Sequence, residues 1–160
     1  ENEECDLIDN NCSGTPDDGE TCRGGCVART FGGHVYQFCP ENRNWGEAED
    51  RCEDMSGNNS GLYVLVTIDD MAENVFLSEA ARSVSDGGWW IGFTDAGGGN
   101  EGSFRWVSGS DSSYTNWADG EPNDGDSITV AEDCTELRGS GDWNDERCWN
   151  DRHFICEQAD

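Results

Sequence analysis

Apolar positions recur at helical spacing in two places along the chain. From Asn44 to Met55, the residues Trp45, Ala48, Cys52 and Met55 fall three or four apart, the spacing of a single helix face. Asn44 followed by Glu47 has the form of a capping box, so this helix is expected to start there. Asp70 to Ala81 repeats the pattern, with Asp70 and Glu73 as a second box and Phe76 and Ala80 on one face. The remaining apolar runs are short and β-like. They are His34–Phe38, which alternates except at Val35, then Leu62–Ile68, Trp89–Phe93, Phe104–Val107, Cys134–Leu137 and His153–Cys156. Between Thr94 and Asp133 lies a long region rich in Gly, Ser, Asp and Asn. A stretch of that length inside a compact domain is usually functional or disordered. It carries Trp106, Tyr114 and Trp117, which points to an ordered, functional loop. Helices mixed with separate short strands give an α+β domain.

The first 26 residues break this picture. They hold Cys5, Cys12, Cys22 and Cys26 and almost no large apolar side chain, so they cannot build a core and must be ordered by disulfides or a metal. The chain therefore divides into a Cys/Asp-rich piece, 1–26, and a packed domain, 27–160. Nine cysteines in 160 residues indicate disulfides and an oxidising, extracellular or cell-surface setting. Their wide spacing, without paired Cys-x-x-Cys sets, argues against zinc. Nine is odd, so one thiol is free or joins another chain.

Charge sharpens the partner classes. Thirty-five acidic side chains oppose nine basic ones, for a formal net charge of −26. Such a surface repels phosphate backbones, which excludes nucleic acid as an expected partner. No run of about 18 apolar residues exists, so no membrane insertion is expected. No signal peptide is visible, and the polar start at Glu1 reads as a mature or trimmed product. Part of the acidity is a solvated surface; part is expected to be neutralised by divalent cations.

The chemistry concentrates in three stretches: Glu121-Pro122-Asn123-Asp124, Glu132-Asp133-Cys134 and Trp143-Asn144-Asp145. They supply carboxylate and amide oxygens with no histidine among them. Hard oxygen donors suit calcium, which takes six to eight, and suit zinc or copper poorly. Together with Trp45, Ala48 and Cys52, the run Trp90-Ile91-Gly92-Phe93, and the final Cys156, these stretches stand in the order found in C-type lectin domains. The chain resembles that family from about His34 to Glu157.

The resemblance implies a C-type lectin fold: two helices, small antiparallel sheets and a long calcium-binding loop region, stabilised by disulfides Cys52–Cys156 and Cys134–Cys148. Cys26 with Cys39 would resemble the extra hairpin bridge of long-form members, and Cys5 is left to pair with Cys12 or Cys22. It implies a main calcium held by Glu121, Asn123, Glu132, Asn144 and Asp145, a cis bond before Pro122, and Trp143 as a buried support. It implies that the same ion binds vicinal equatorial hydroxyls of mannose, N-acetylglucosamine, glucose or fucose. A second calcium maps to Asp95, Glu101, Asp124, Glu132 and Asp133. Gly97-Gly98-Gly99 lengthens one loop of that set, and Asp126 is a rival ligand in the other.

Asp9 to Glu20 lines up with the 12-residue EF-hand calcium loop. Asp9, Asn11, Ser13, Thr15, Asp17 and Glu20 fall at ligand positions and Gly14 at the turn, although Pro16 departs from the pattern. The stretch is also similar to Cys/Asp-rich metal motifs of secreted bacterial, myxobacterial-type proteins. One to three calcium ions are expected in all.

Several residues carry plainer readings. His34 and His153 read as strand residues. Trp89, Trp90, Phe93, Phe104 and Trp106 read as core, while Tyr114 and Trp117 divide evenly between core and sugar-stacking roles. Trp149 has no assigned role. Paired carboxylates could hydrolyse a glycosidic bond, but so acidic a chain makes chance pairs unavoidable, so no enzyme is expected. The competing readings are a lectin-like protein-binding module and a structural calcium module without sugar binding. Oligomers or tandem modules are expected to supply avidity.

Overall fold

The computed structural model describes residues 25–55, 63–97, 100–125 and 131–159. Among the described residues, two helices, α1 (Trp45–Met55) and α2 (Met71–Val84), accompany eight strands. The strands are β1 (Val27–Phe31), β2 (His34–Arg43), β3 (Tyr63–Leu65), β4 (Trp89–Thr94), β5 (Arg105–Trp106), β6 (Cys134–Leu137), β7 (Trp143–Glu146) and β8 (Arg152–Gln158). The C-type lectin resemblance led us to expect small antiparallel sheets. The strands instead join one mixed sheet in the order β1-β2-β8-β4-β6-β7, with β3 on β8 and β5 on β4. The pairing of β4 with β8 is parallel, Trp89 opposite His153 and Trp90 opposite Phe154.

Both helix starts follow their capping residues. At α1 the box closes both ways: Glu47 N donates to Asn44 Oδ1 at 3.0 Å, and Asn44 N to Glu47 Oε2 at 3.4 Å. At α2 Asp70 accepts from Glu73 N at 2.9 Å, but the reciprocal arm is diverted. The Glu73 carboxylate takes Asp69 N at 2.7 Å and the Tyr36 hydroxyl. Burial, reinforced by that hydrogen bond, pushes the Tyr36 hydroxyl far above its ordinary pKa, so it stays protonated and donates. The helix runs past Ala81 to Val84, where Ser85 N still reaches Ala81 O. Phe76 stacks on Phe31 with ring centroids 4.7 Å apart.

The central strand β4 is buried along its whole length, because both sheet faces are covered. Trp89, Ile91 and Phe93 enter one core with Leu77 and Ala81 of α2; Trp90 enters the other with Trp45, Ala48 and Cys52 of α1. A strand apolar on both faces reads as a continuous run rather than an alternating one. Gly92 marks a close backbone approach: a Cβ there would come within 2.6 Å of Leu65 O. Disulfides Cys26–Cys39, Cys52–Cys156 and Cys134–Cys148 tie β1's approach to β2, α1 to β8, and β6 to the turn after β7. Cys5, Cys12, Cys22 and the EF-hand-like positions Asp9, Asn11, Ser13, Thr15, Asp17 and Glu20 lie outside the described residues.

Two expectations are corrected. Val27–Phe31, outside the apolar runs read as strands, forms a regular strand on β2. Trp143–Glu146, also outside those runs, is a strand paired residue for residue with β6, Asn144 facing Glu136 and Asp145 facing Thr135. Its polar residues hid it, since they lower β-propensity.

Candidate metal and sugar site

The strand β7 sorts its side chains by parity. Trp143 and Asp145 are buried, while Asn144 and Glu146 are half-exposed on the opposite face. Trp143 is fully buried and donates its indole N–H to Asn74 Oδ1 at 2.7 Å. Ala118 N and Asn116 O bond the Trp143 backbone, which straps the long loop to β7. Tyr114 and Trp117 pack against Trp143, with centroids 5.7 and 5.8 Å away. They therefore serve as partly buried core residues.

Asp145 organises the loop above it. It is 1% exposed, and its two oxygens accept Asn123 N at 3.0 Å and Asp124 N at 2.6 Å. Asp124 takes φ +54, in the left-handed region that Asp tolerates better than most residues. The Glu121–Pro122 bond is cis. Asn123 donates its amide to Glu121 Oε2 at 2.5 Å and accepts Gly125 N at 2.6 Å. Glu132 joins from the far end of the loop. Its N–H donates to Asp124 Oδ1 at 3.1 Å, and its carboxylate lies against Gly125. The fold thus gathers Glu121, Asn123, Asp124, Glu132 and Asp145. Asn144 belongs to the other face of β7, where its amide donates to Glu136 Oε1 at 3.2 Å. Asp126 lies outside the described residues.

Glu121 and Glu132 hold their protons more tightly than usual. Burial raises the Glu121 pKa first, then a hydrogen bond to Asp145 and that residue's charge, with Arg138 opposing. Burial also leads for Glu132, followed by Glu146 and Asp145, with Arg147 opposing. Arg138 stands 3.8 Å from Glu121 and Arg147 3.9 Å from Glu132, both too far for hydrogen bonds.

A second group forms beside it. Asp95, Glu101 and Asp133 place carboxylate oxygens all within 4.8 Å of one another, despite the glycine-lengthened loop. Asp95 is 6% exposed; its Oδ2 accepts Gly102 N at 2.7 Å, while its buried Oδ1 has no hydrogen-bond partner among the described residues. A hydrogen bond with Asp95 leads the upward shift of Glu101, and burial leads that of Asp133, with Asp95 and Asp124 adding to both. An orphaned carboxylate oxygen inside a cluster of like charges fits a hard divalent cation.

Sequence reasoning missed Glu136, Arg138, Arg147 and Arg152. Glu136 carried a signal: a charged residue within the otherwise uncharged run Cys134–Leu137 needs a partner once buried. Arg152 is that partner, 2.7 Å from Glu146 as well.

The family model for the Lectin C-type domain matches residues 41–158. Hepatic lectin of Gallus gallus is 35% identical over 130 residues, which cover 80% of this chain and 56% of that protein. The chain thus spans little more than half of that relative, and 30–40% of the next few curated relatives. A crystal structure of the cow carbohydrate-recognition domain of CD23, in the presence of GlcNAc2Man3 oligosaccharide, superposes with a TM-score of 0.71. It shows 30% identity and covers 83% of this chain and 93% of that one. The EPNH mutant of CEL-I, a lectin from Cucumaria echinata, superposes with a TM-score of 0.73 at 30% identity, over 82% of this chain and 94% of that one.

Proposed function

The chain belongs to the C-type lectin domain family, and from that premise we propose that it binds sugars of the mannose, N-acetylglucosamine, glucose and fucose group in a calcium-dependent way. The observation that carries this reading is the convergence on Asp145. One buried carboxylate fixes the backbone of the Glu121–Asp124 loop and brings Glu121, Asn123 and Glu132 to one edge of the sheet. Glu121, Asn123, Glu132 and Asp145 would hold the main ion, with Asn144 reaching it from the opposite face around the edge of β7, the last strand of the sheet. Asp95, Glu101 and Asp133, with Asp124 and Glu132, would hold a second. The EF-hand-like loop 9–20 would hold a third.

When bound, calcium supplies coordination positions that two neighbouring sugar hydroxyls can fill. The side chains do the rest. The Glu121 and Glu132 carboxylates accept hydroxyl protons, and the Asn123 and Asn144 amides donate to hydroxyl oxygens. The order of acceptors and donors then selects hydroxyl geometry, and Glu121-Pro122-Asn123 is the order expected for equatorial 3- and 4-hydroxyls. Support comes from one relative, the CD23 domain described in the presence of a GlcNAc2Man3 oligosaccharide. With so few contacts, a single site binds with an affinity on the order of millimolar. Clustering in oligomers or tandem modules outside the cell would raise avidity.

A structural calcium module is the second reading, favoured by the Asp95 group, whose clustered carboxylates fit a cation apart from the sugar-binding set. Retention on mannose–agarose in calcium, release by chelator and passage through galactose–agarose would support the lectin. No retention on either resin, with calcium binding intact, would favour the structural module. The double variant Glu121→Gln, Asn123→Asp should shift preference toward galactose; unchanged selectivity counts against the assignment of these two residues.

A further inference from the structure

We propose that Glu136 is a positioning residue for the main calcium and sugar site, acting through the side chain of Asn144. The proposal rests on reading Asn144 as a ligand. It begins with register: Glu136 of β6 sits directly opposite Asn144 of β7. Glu136 is 7% exposed, and its Oε1 accepts the Asn144 amide at 3.2 Å. Its other oxygen accepts Arg152 Nε, while Arg152 Nη2 holds Glu146 at 2.7 Å. The Arg152 guanidinium also lies 5.8 Å from the centroid of the Trp90 ring. A buried carboxylate held by a forked cation keeps one orientation.

An asparagine amide has two ends of nearly equal shape, and its partners decide which way it turns. An ionised carboxylate only accepts. Glu136 therefore draws the NH2 end toward itself and sends Oδ1 the other way. The reverse orientation would set Oδ1 against the Glu136 oxygen and offer a calcium ion an NH2 group, which cannot coordinate it. The NH2 group carries two protons; Glu136 takes one and leaves the second for a sugar hydroxyl. Room for this arrangement comes from Gly88. A Cβ there would overlap the Glu136 carboxylate and come within 3.1 Å of Arg152 Cδ.

The test follows calcium-dependent changes in tryptophan fluorescence and methyl α-mannoside binding across calcium titrations of the intact protein. Removing an outer partner of a metal ligand costs about 10–100-fold in metal affinity, and Glu136→Ala should raise the calcium requirement by that factor. Gly88→Ala, which displaces the carboxylate without removing its charge, should do the same. Glu136→Gln keeps an amide oxygen for Asn144 and should recover most of the loss. In an Asn144→Ala background, Glu136→Ala should add nothing, because its effect runs through that side chain. The proposal is overturned if Glu136→Ala and Gly88→Ala both keep the wild-type calcium requirement, or if the losses in the double variant simply add. Should Glu136→Ala fail to fold, Gly88→Ala decides. An Asn144→Ala protein with undiminished calcium-dependent binding removes the ligand reading itself, and the proposal with it.

Discussion

The two carboxylate groups differ in how their oxygens are satisfied. Around Asp145, backbone N–H groups fill both of its oxygens, the Asn123 amide serves Glu121, and Arg138 and Arg147 stand nearby. Around Asp95, one oxygen takes Gly102 N and the other is buried without a partner among the described residues, with Glu101 and Asp133 beside it. The first group holds its shape by its own hydrogen bonds. The second keeps an unmet electrostatic demand. The number of carboxylates therefore says less about cation need than the donors available to them.

Breaking the first group should have the largest effect. Asp145→Ala leaves two N–H groups of the Glu121–Asp124 loop unpaired, at about 1–3 kcal/mol each where they stay buried, and should abolish sugar binding. Denaturant melts and resin retention check the two consequences separately. The second group should respond in the opposite sense without calcium. Asp95→Asn removes a repelling charge, so in chelator it should melt above the wild type. In calcium the order should reverse, because wild type gains about 2.7 kcal/mol at a hundredfold excess over Kd.

Acid should act on both groups. Glu121, Glu132, Asp133 and Glu101 all have raised pKa values, so protons begin to displace a cation above the usual carboxylate range. Calcium-dependent sugar retention should fall as pH drops through that window, at fixed calcium. The stability sign is opposite for the metal-free protein. A raised folded-state pKa favours folding below the unfolded value, and that contribution is lost as pH rises. Glu157, pushed up to about 7 chiefly by burial, loses its share between about pH 4.5 and 7. Melting in chelator should therefore be higher at pH 5 than at pH 8, from these groups. The smallest change should come from Arg138→Ala or Arg147→Ala. At 3.8 and 3.9 Å from their partners, each should alter stability by less than about 1 kcal/mol.

Much of the scaffold was legible in the chain because it rests on local signals. The capping pair Asn44 and Glu47 and the apolar run of β4 announce themselves. What stayed hidden depends on tertiary pairing. The parallel match of β4 with β8 has no local signature, and β7 alternates buried Trp143 and Asp145 with polar neighbours that read as loop. In the site, residue types pointed to the oxygen donors proposed to hold calcium. The partners of those donors were not legible, since Glu136 and Arg152 meet Asn144 and Glu146 only through sheet register. The glycine-lengthened loop suggested a weakened second group, yet Glu101 still reaches Asp95 and Asp133.

Sugar and calcium are proposed to share the site organised by Asp145. The most direct test is a 1H–15N NMR titration of the labelled protein with methyl α-mannoside, in calcium and again in chelator. Shifts should cluster at residues 121, 123–125, 132, 144 and 145 in calcium, with none in chelator. Shifts that persist in chelator, or that map elsewhere on the surface, would contradict it.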